Sequence, residues 1–253
     1  MYFLLLWPPD RQRPGSFKAV FAHSGKWNAE SSKGVSTCKL LINIGNCLEF
    51  SDMNPELHNP SLPSNPRFQP GTWACILAGG RSTRMGEPKQ RLRIGGRSLL
   101  ATARNLAREA GFPVRTIYRD CVPHCGPLSG IWTAFERLKT ESIIFLSCDM
   151  PFVPVSHLLQ LHRTLKKSPM GVFTKTDDRP GFPFLLQRNC LPALTRQMEE
   201  RQYALRDFSR KLNANFLSPK SGSEFEFSNI NTPAELAEAR RYQRRSARLD
   251  SHD

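Results

Sequence analysis

From residue 73 onward the sequence predicts an α/β fold: a mostly parallel sheet covered by helices on both faces. Three observations carry that expectation. Short apolar runs such as Trp73–Leu77 and Ser142–Leu146 have the composition of strands buried on both faces. Stretches with apolar residues at helical spacing alternate with them, and strand–helix alternation marks a parallel sheet. Two of the apolar runs end on residues suited to ligands, one on Gly79-Gly80 and the other on Cys148-Asp149-Met150-Pro151. In open α/β sheets ligands bind at the carboxyl ends of the strands.

Residues 1–70 read differently. Prolines fall at 8, 9, 14, 55, 60, 63, 66 and 70, the last five in a run rich in Asn and Ser, and Leu40-Leu41-Ile42-Asn43-Ile44 is the one strand candidate. Such a segment buries too little apolar surface to offset its ordering entropy. It is expected to be a disordered extension, or upstream sequence translated from a wrongly assigned start, with Met53 a later candidate start.

The first strand, Trp73–Leu77, is followed by a helix with Leu99, Leu100, Ala103, Leu106, Ala107 and Ala110 on one face and Gly111 closing it. Val114–Tyr118 is a strand that leads to Asp120, and Pro127–Leu138 a helix with Ile131, Ala134, Phe135 and Leu138 at core spacing. After the buried strand Ser142–Leu146 come a helix over Val155–Lys167, strands near Val172–Thr174 and Phe182–Leu186, and helices over Leu191–Arg201 and Leu205–Leu212. A last helix opens at Pro233, with Glu235 and Glu238 near its positive dipole end. Beyond Arg240 the charged tail is expected to fray.

Composition narrows the classes. The net charge of +14 favours anionic partners. The charge is distributed, without basic tracts interleaved with aromatics, which argues against a dedicated nucleic-acid surface. Seven cysteines, an odd count with no Cys-x-x-Cys, point to reduced thiols in a cytoplasmic protein. Cys121, Cys125 and His124 do not complete a zinc site. Tyr2–Trp7 is apolar but is cut short by Pro8-Pro9, too brief for a signal-peptide core or a membrane span.

Three strings carry candidate chemistry. In Leu77-Ala-Gly-Gly-Arg-Ser-Thr-Arg-Met-Gly-Glu-Pro-Lys89 the glycines expose amide N–H groups to an anion, and Arg81, Arg84 and Lys89 supply positive charge, so a triphosphate is the natural guest. The other reading of the glycines is a plain tight turn. The string is neither Gly-x-Gly-x-x-Gly nor a P-loop. Asp149, at the end of a strongly apolar strand, suits a Mg²⁺ held by one carboxylate and substrate phosphate oxygens. The alternative for Asp149 is a turn residue before Pro151. Gly126-Pro-Leu-Ser-Gly-Ile131 reads on its own chemistry as a helix start.

Taken together these strings resemble a known family. The first matches, at every fixed position, the signature loop of nucleotidyltransferases that use a nucleoside triphosphate and release pyrophosphate. Gly126–Ile131 with Asp120 upstream, Cys148-Asp149-Met150-Pro151 and Asn229-x-Asn-Thr-Pro-x-Glu-Leu236 are similar to strings of the molybdenum cofactor guanylyltransferases, in the same order over residues 72–242. The resemblance implies a Rossmann-like three-layer α/β/α nucleotidyltransferase fold over residues 71–244, with a charged tail at 245–253. It implies transfer of GMP from GTP to molybdopterin with release of pyrophosphate. Arg84, Lys89 and Asp149 would be catalytic, and Asp149 would hold Mg²⁺. Leu77, Ala78, Gly79, Gly80, Lys89, Asp120 and Asp149 would contact the nucleotide, the amides of Ala78 to Gly80 on its phosphates. Other cofactor-biosynthesis proteins or the recipient oxidoreductase would be partners.

Two departures from the family pattern stand out. Only Phe112–Arg119 separates the first helix from Asp120, room for one strand, so one crossover unit and the nucleotide-contacting asparagine it carries are missing. Pro88-Lys89-Gln90 is closer to relatives that transfer cytidylyl groups. The rivals are therefore transfer of CMP to the molybdenum cofactor or another acceptor, and a non-catalytic adaptor that binds nucleotide or cofactor.

Overall fold

The structure is a computed structural model and describes residues 4–7, 38–41, 71–79, 85, 87–121, 126–168, 170–176, 178–220 and 224–249. The chain divides into two units, Met1–Asn54 and Pro55–Asp253. In the first, the described residues form one antiparallel pair, β1 (Leu4–Trp7) with β2 (Cys38–Leu41), Leu4 opposite Leu41 and Trp7 opposite Cys38. β2 takes in the first two residues of the strand candidate at Leu40–Ile44. The remainder of the proposed extension lies outside the described residues.

The second unit holds a six-stranded sheet. Its strands are β3 (Thr72–Leu77), β6 (Val114–Ile117), β7 (Ser142–Ser147), β8 (Gly171–Thr176), β9 (Arg179–Gln187) and β10 (Asn215–Leu217). A separate two-residue hairpin, β4 (Arg93–Ile94) with β5 (Arg97–Ser98), follows the signature string. The sheet order is β10-β8-β9-β7-β3-β6. β3 pairs parallel with both β6 and β7, whereas β9 runs antiparallel to β7 and β8, and β10 returns parallel to β8. From β3 the chain steps outward to β6 and then back across β3 to β7. That reversal is a topological switch point, where a crevice opens at the carboxyl ends of the strands.

Helices α1 (Leu99–Glu109), α2 (Gly126–Arg137), α3 (Val155–Leu165), α4 (Leu191–Glu199), α5 (Leu205–Lys211) and α6 (Pro233–Leu249) complete the unit. The period of two along β7 sorts the layers. Ile144 and Leu146 face a core shared with Leu100, Ala103 and Ala107 of α1 and Leu158 and Leu161 of α3. Ile143 and Phe145 face the opposite core, with Ile131 and Phe135 of α2, Leu194 of α4 and Phe208 of α5. This is the expected α/β/α arrangement with a mostly parallel sheet.

The ends of α1 show why the sequence stops and starts it there. Ser98 Oγ accepts from the Ala101 N–H at 3.2 Å as N-cap. At the other end Gly111 takes φ +84°, its N–H reaches the Arg108 carbonyl and that of Phe112 the Ala107 carbonyl, a left-handed cap that only glycine adopts without strain. Phe112 is then driven into the core. As the short Phe112–Arg119 gap predicts, a single strand, β6, links α1 to α2; the structure puts it at the sheet's edge.

One boundary differs from expectation. α6 does not fray after Arg240 but continues to Leu249. Its second half has partners that the charged sequence hides. Tyr242 packs on Phe152 and Phe225 with ring centroids 4.8 and 4.4 Å away, and the Arg240 Nε–H donates to the Arg93 carbonyl at 3.2 Å.

Candidate active site

Parallel register makes the carboxyl ends of three strands level: Leu77 of β3 lies beside Ser147 of β7 on one side and Ile117 of β6 on the other. Residues just beyond these ends therefore share one rim. Asp149 follows β7 by two residues. Its carbonyl accepts from the Ile230 N–H at 2.9 Å, which clips the entry of α6 onto the end of β7.

Lys89 opens a short 3₁₀ turn, Lys89–Arg91, just after Pro88. The turn is anchored from behind. Leu92, Ile94 and Leu99 pack with Ile230, Leu236 and Ala239 in a small core of their own, and so tie the Lys89 segment to the start of α6. The result is a three-residue cluster. Lys89 Nζ donates to Asp149 Oδ2 at 2.9 Å and to Asn231 Oδ1 at 2.5 Å. The Lys89 and Asp149 side chains are 20% and 15% exposed, so the pair is only partly screened by water. Ser147 Oγ donates to the other carboxylate oxygen, Oδ1. Asp149 thus has both oxygens engaged and its plane fixed.

The opening of α6 positions Asn231. Glu235 Oε2 accepts from the Asn231 N–H at 2.6 Å and the Thr232 N–H at 2.9 Å, and Thr232 Oγ1 accepts from the Glu235 N–H at 3.2 Å. That is a capping box, with Pro233 at the first helical position. The Glu235 carboxyl is held below its ordinary range, chiefly by the Asn231 N–H, with the Lys89 charge a smaller contribution.

Asp120 lies at the β6 end of the same rim. Partial desolvation raises its carboxyl above the usual carboxylate value, against the opposing effects of a hydrogen bond with Ser129 and the charge of Arg137. Gly130 explains one glycine of the Gly126–Ile131 string. A Cβ there would lie 3.1 Å from both methyls of Leu77 and 3.4 Å from Asp120 Oδ1. The glycine lets α2 close on the end of β3 and on Asp120.

The expected site residues divide as follows. Lys89 and Asp149 are brought into direct contact, and Leu77, Gly79 and Asp120 lie on the same rim. Ala78 requires a correction. Its N–H donates to the Ile117 carbonyl at 2.9 Å, which commits that amide to the sheet and removes it from the phosphate-facing set. Gly80 and Arg84 lie outside the described residues. Sequence reasoning missed three contributors: Ser147, Asn231 and Glu235. The signal for the last two was present as Thr232-Pro-x-Glu235, a capping-box string directly after Asn231.

What can the cluster do? Among the described residues no group of three or more His, Cys, Asp or Glu side chains could cage a metal. A lone carboxylate beside a cation fits instead a divalent ion that takes its remaining ligands from phosphates and water. Covalent catalysis by Cys148 is disfavoured: burial, and secondarily the Asp149 charge, push its thiol up to about 11, so it stays protonated. Among the described residues no helix is long and apolar enough to cross a membrane.

A model of the MobA-like NTP transferase domain matches residues 74–215. The chain is 30% identical over 190 residues to a molybdenum cofactor guanylyltransferase of Haemophilus influenzae, covering 64% of this chain and 94% of that protein. It is 27% identical over 176 residues to a probable molybdenum cofactor guanylyltransferase of Bacillus subtilis, covering 62% of this chain and 88% of that protein. In fold it is similar to molybdopterin-guanine dinucleotide biosynthesis protein A from Archaeoglobus fulgidus, with TM-score 0.54, 19% identity, and 68% and 98% of the two chains covered. It also superposes on 2-C-methyl-D-erythritol 4-phosphate cytidylyltransferase from Thermus thermophilus, with TM-score 0.52, 13% identity, and coverage of 68% and 98%.

Proposed function

The chain belongs to the MobA-like NTP transferase family, and from that premise we propose that it transfers GMP from GTP to molybdopterin, forming the guanine dinucleotide cofactor and releasing pyrophosphate. The observation that carries this reading is the Lys89–Asp149–Asn231 cluster at the carboxyl ends of β3 and β7. It sets a cation beside a carboxylate at the point where an α/β sheet takes its ligand.

In this reading a phosphate oxygen of the acceptor attacks the α-phosphorus of GTP. The bond from the α-phosphorus to the bridging oxygen breaks, and pyrophosphate leaves with the electron pair. The nucleophile is already anionic, so no general base is required. Lys89 neutralises charge on the β- and γ-phosphates, supported by the Gly79 amide and, as the signature string suggests, by Gly80 and Arg84. A Mg²⁺ ion, when bound, would be held by Asp149 and would withdraw electron density from the phosphates as a Lewis acid. Ser147 keeps the Asp149 carboxylate in one orientation. Asp120, beside Leu77 and Gly130, faces the nucleoside side of the rim. Catalysis is then positioning plus neutralisation of developing charge.

We place the transferase in residues 71–244, with residues 1–70 an extension and 245–253 a tail, in a cytoplasmic protein that meets the recipient oxidoreductase or other cofactor-biosynthesis proteins. A second reading is favoured by one string: Pro88-Lys89-Gln90 resembles the form in relatives that transfer cytidylyl groups. Pyrophosphate release measured with GTP and with CTP, in the presence of Mg²⁺ and molybdopterin, separates the two. Release with GTP at least tenfold faster than with CTP is expected. The reverse preference replaces GMP with CMP, and no release with either nucleotide removes the enzymatic reading.

A further inference from the structure

We propose that Glu235 is a positioning residue for Lys89, acting through Asn231. The Lys89 charge contributes least to lowering the Glu235 carboxyl. What Glu235 holds is backbone. One of its oxygens accepts from the N–H groups of Asn231 and Thr232 at 2.6 and 2.9 Å. On the other side of Asn231, the Ile230 N–H is bound to the Asp149 carbonyl at 2.9 Å. Residue 231 is therefore pinned from both directions, and its side-chain oxygen is aimed at Lys89 Nζ, 2.5 Å away. Asp149 Oδ2 receives the same ammonium at 2.9 Å.

The consequence is a preformed seat. Without fixed acceptors the Lys89 side chain, with four rotatable bonds, would sample many rotamers and lose that freedom on being ordered. The seat restricts it beside Asp149 before nucleotide arrives, so less ordering remains to be done when the ammonium passes to the phosphates. It also links α6 to the nucleotide. When Lys89 leaves Asn231, the segment leading into α6 loses a contact that spans 142 positions in sequence. The proposal rests on the GMP-transfer reading only in its kinetic arm.

A capping residue is also a stability device, so the test separates the two roles. Thr232→Ala removes the bond from the Glu235 N–H to Thr232 Oγ1 and leaves the Glu235 carboxylate on the Asn231 N–H. Glu235→Ala removes the latter. Glu235→Gln keeps an oxygen that can accept it. The ammonium of Lys89 is followed by nitrogen-15 NMR of lysine-labelled, nucleotide-free protein, its signal identified by its loss in Lys89→Arg.

A protected Lys89 signal is expected in the unchanged chain, in Thr232→Ala and in Glu235→Gln, and a signal lost to exchange in Glu235→Ala. In pyrophosphate release, Glu235→Ala is expected to lower kcat about tenfold with the KM for GTP within twofold. Glu235→Gln restores kcat, and Thr232→Ala leaves it unchanged at a comparable loss of Tm. Equal Lys89 signals in Glu235→Ala and Thr232→Ala would overturn the proposal, as would failure of Glu235→Gln to restore the signal. The expected NMR pattern in a chain that transfers no GMP upholds the seat and overturns only the reading of the reaction.

Discussion

The two halves of the sheet are built from similar apolar strands and do different work. In the parallel half, β6, β3 and β7 end level, and beyond their ends lie Asp120, the glycine loop and Asp149. In the other half, β9 runs antiparallel between β7 and β8, β8 and β10 run in the same direction as β7, and these strands carry packing. Phe184 is fully buried and stacks on Phe145 and Phe173, with ring centroids 5.0 and 4.9 Å away, and Phe182 lies 4.8 Å from it. The contrast follows from geometry. Parallel strands send all their carboxyl ends to one side, so functional residues can converge there. β9 alone sends its carboxyl end to the opposite side, and it separates the ends of β8 and β10 from those of β7, β3 and β6. β7 belongs to both halves, pairing with β3 on one edge and β9 on the other.

The comparison breaks most visibly at Asp149. Asp149→Asn keeps the shape and can still accept from Lys89, so the melting temperature is expected to move by no more than a few degrees. Turnover is expected to fall by about a thousandfold or more, since metal-derived stabilisation of charge is worth several kcal/mol in the transition state. Pyrophosphate release titrated against Mg²⁺ checks it. Equal rates and equal metal midpoints for the two proteins would make Asp149 a turn residue.

Phe184→Ala is the mirror experiment in the other half. Loss of a fully buried phenylalanine costs about 3–5 kcal/mol, and urea denaturation should report it. Per folded molecule, nucleotide affinity measured by isothermal titration should stay within a factor of two. A large loss of affinity would show that the half around β9 shapes the site.

His157, on α3, makes the packing half sensitive to acid. It is 5% exposed, its ring stands edge-on to Phe227 with centroids 4.6 Å apart, and Nε2 lies 2.8 Å from Thr174 Oγ1. Thr174 Oγ1 gives its own proton to the Pro183 carbonyl at 2.5 Å, so the ring Nε2–H is the donor between them. Burial lowers the His157 pKa from 6.5 to about 4. The unfolded chain therefore binds the proton first as pH falls. The contribution is complete above pH 6.5 and is lost progressively between about 6.5 and 4, to a total of about 3 kcal/mol at 1.4 kcal/mol per pH unit. His162, also lowered by burial and by the Lys166 charge, adds in the same direction. Thermal melts from pH 7 to pH 4 should fall more steeply for the unchanged chain than for His157→Gln.

How much of this could be read from the chain depended on whether the determining contact was local. Trp73–Leu77, Ser142–Leu146 and the Gly111 stop were legible because burial on both faces and a left-handed cap each leave a mark within a few residues. The hairpin at Arg93–Ser98 was not, since strands of two residues carry no period. β10, three residues at the sheet edge, escaped for the same reason. The length of α6 was hidden by Arg240, Arg241, Arg244 and Arg245, which dominate its sequence, while Leu236, Ala239 and Tyr242 make its contacts. In the site, Lys89 and Asp149 announced themselves through chemistry suited to phosphate and metal. Asn231 was legible only as part of the string that opens α6; its meeting with Lys89 is set by the fold. The spent Ala78 amide was invisible without knowing that β6 runs alongside.

The smallest expected effect is also the finest probe of the parallel half, at Gly130. A methyl group there would meet the two Leu77 methyls at 3.1 Å and Asp120 Oδ1 at 3.4 Å. Two opposing terms set the stability. Alanine is better than glycine inside a helix by about 1 kcal/mol. Against this stands the crowding of Leu77, whose flexible end can shift by a few tenths of an ångström at a cost of similar size. Gly130→Ala should therefore change stability by less than about 1 kcal/mol in either direction. Function should respond differently, because relief of the contact moves Leu77 and Asp120 at the rim, where the nucleoside is expected to lie. Affinity for GTP should fall a few-fold, with kcat little changed, since Lys89 and Asp149 meet beyond the end of β7 and not β6. Isothermal titration beside a denaturation curve resolves the two. Unchanged affinity at unchanged stability would remove Asp120 from the nucleotide's contacts and leave Gly130 as packing alone.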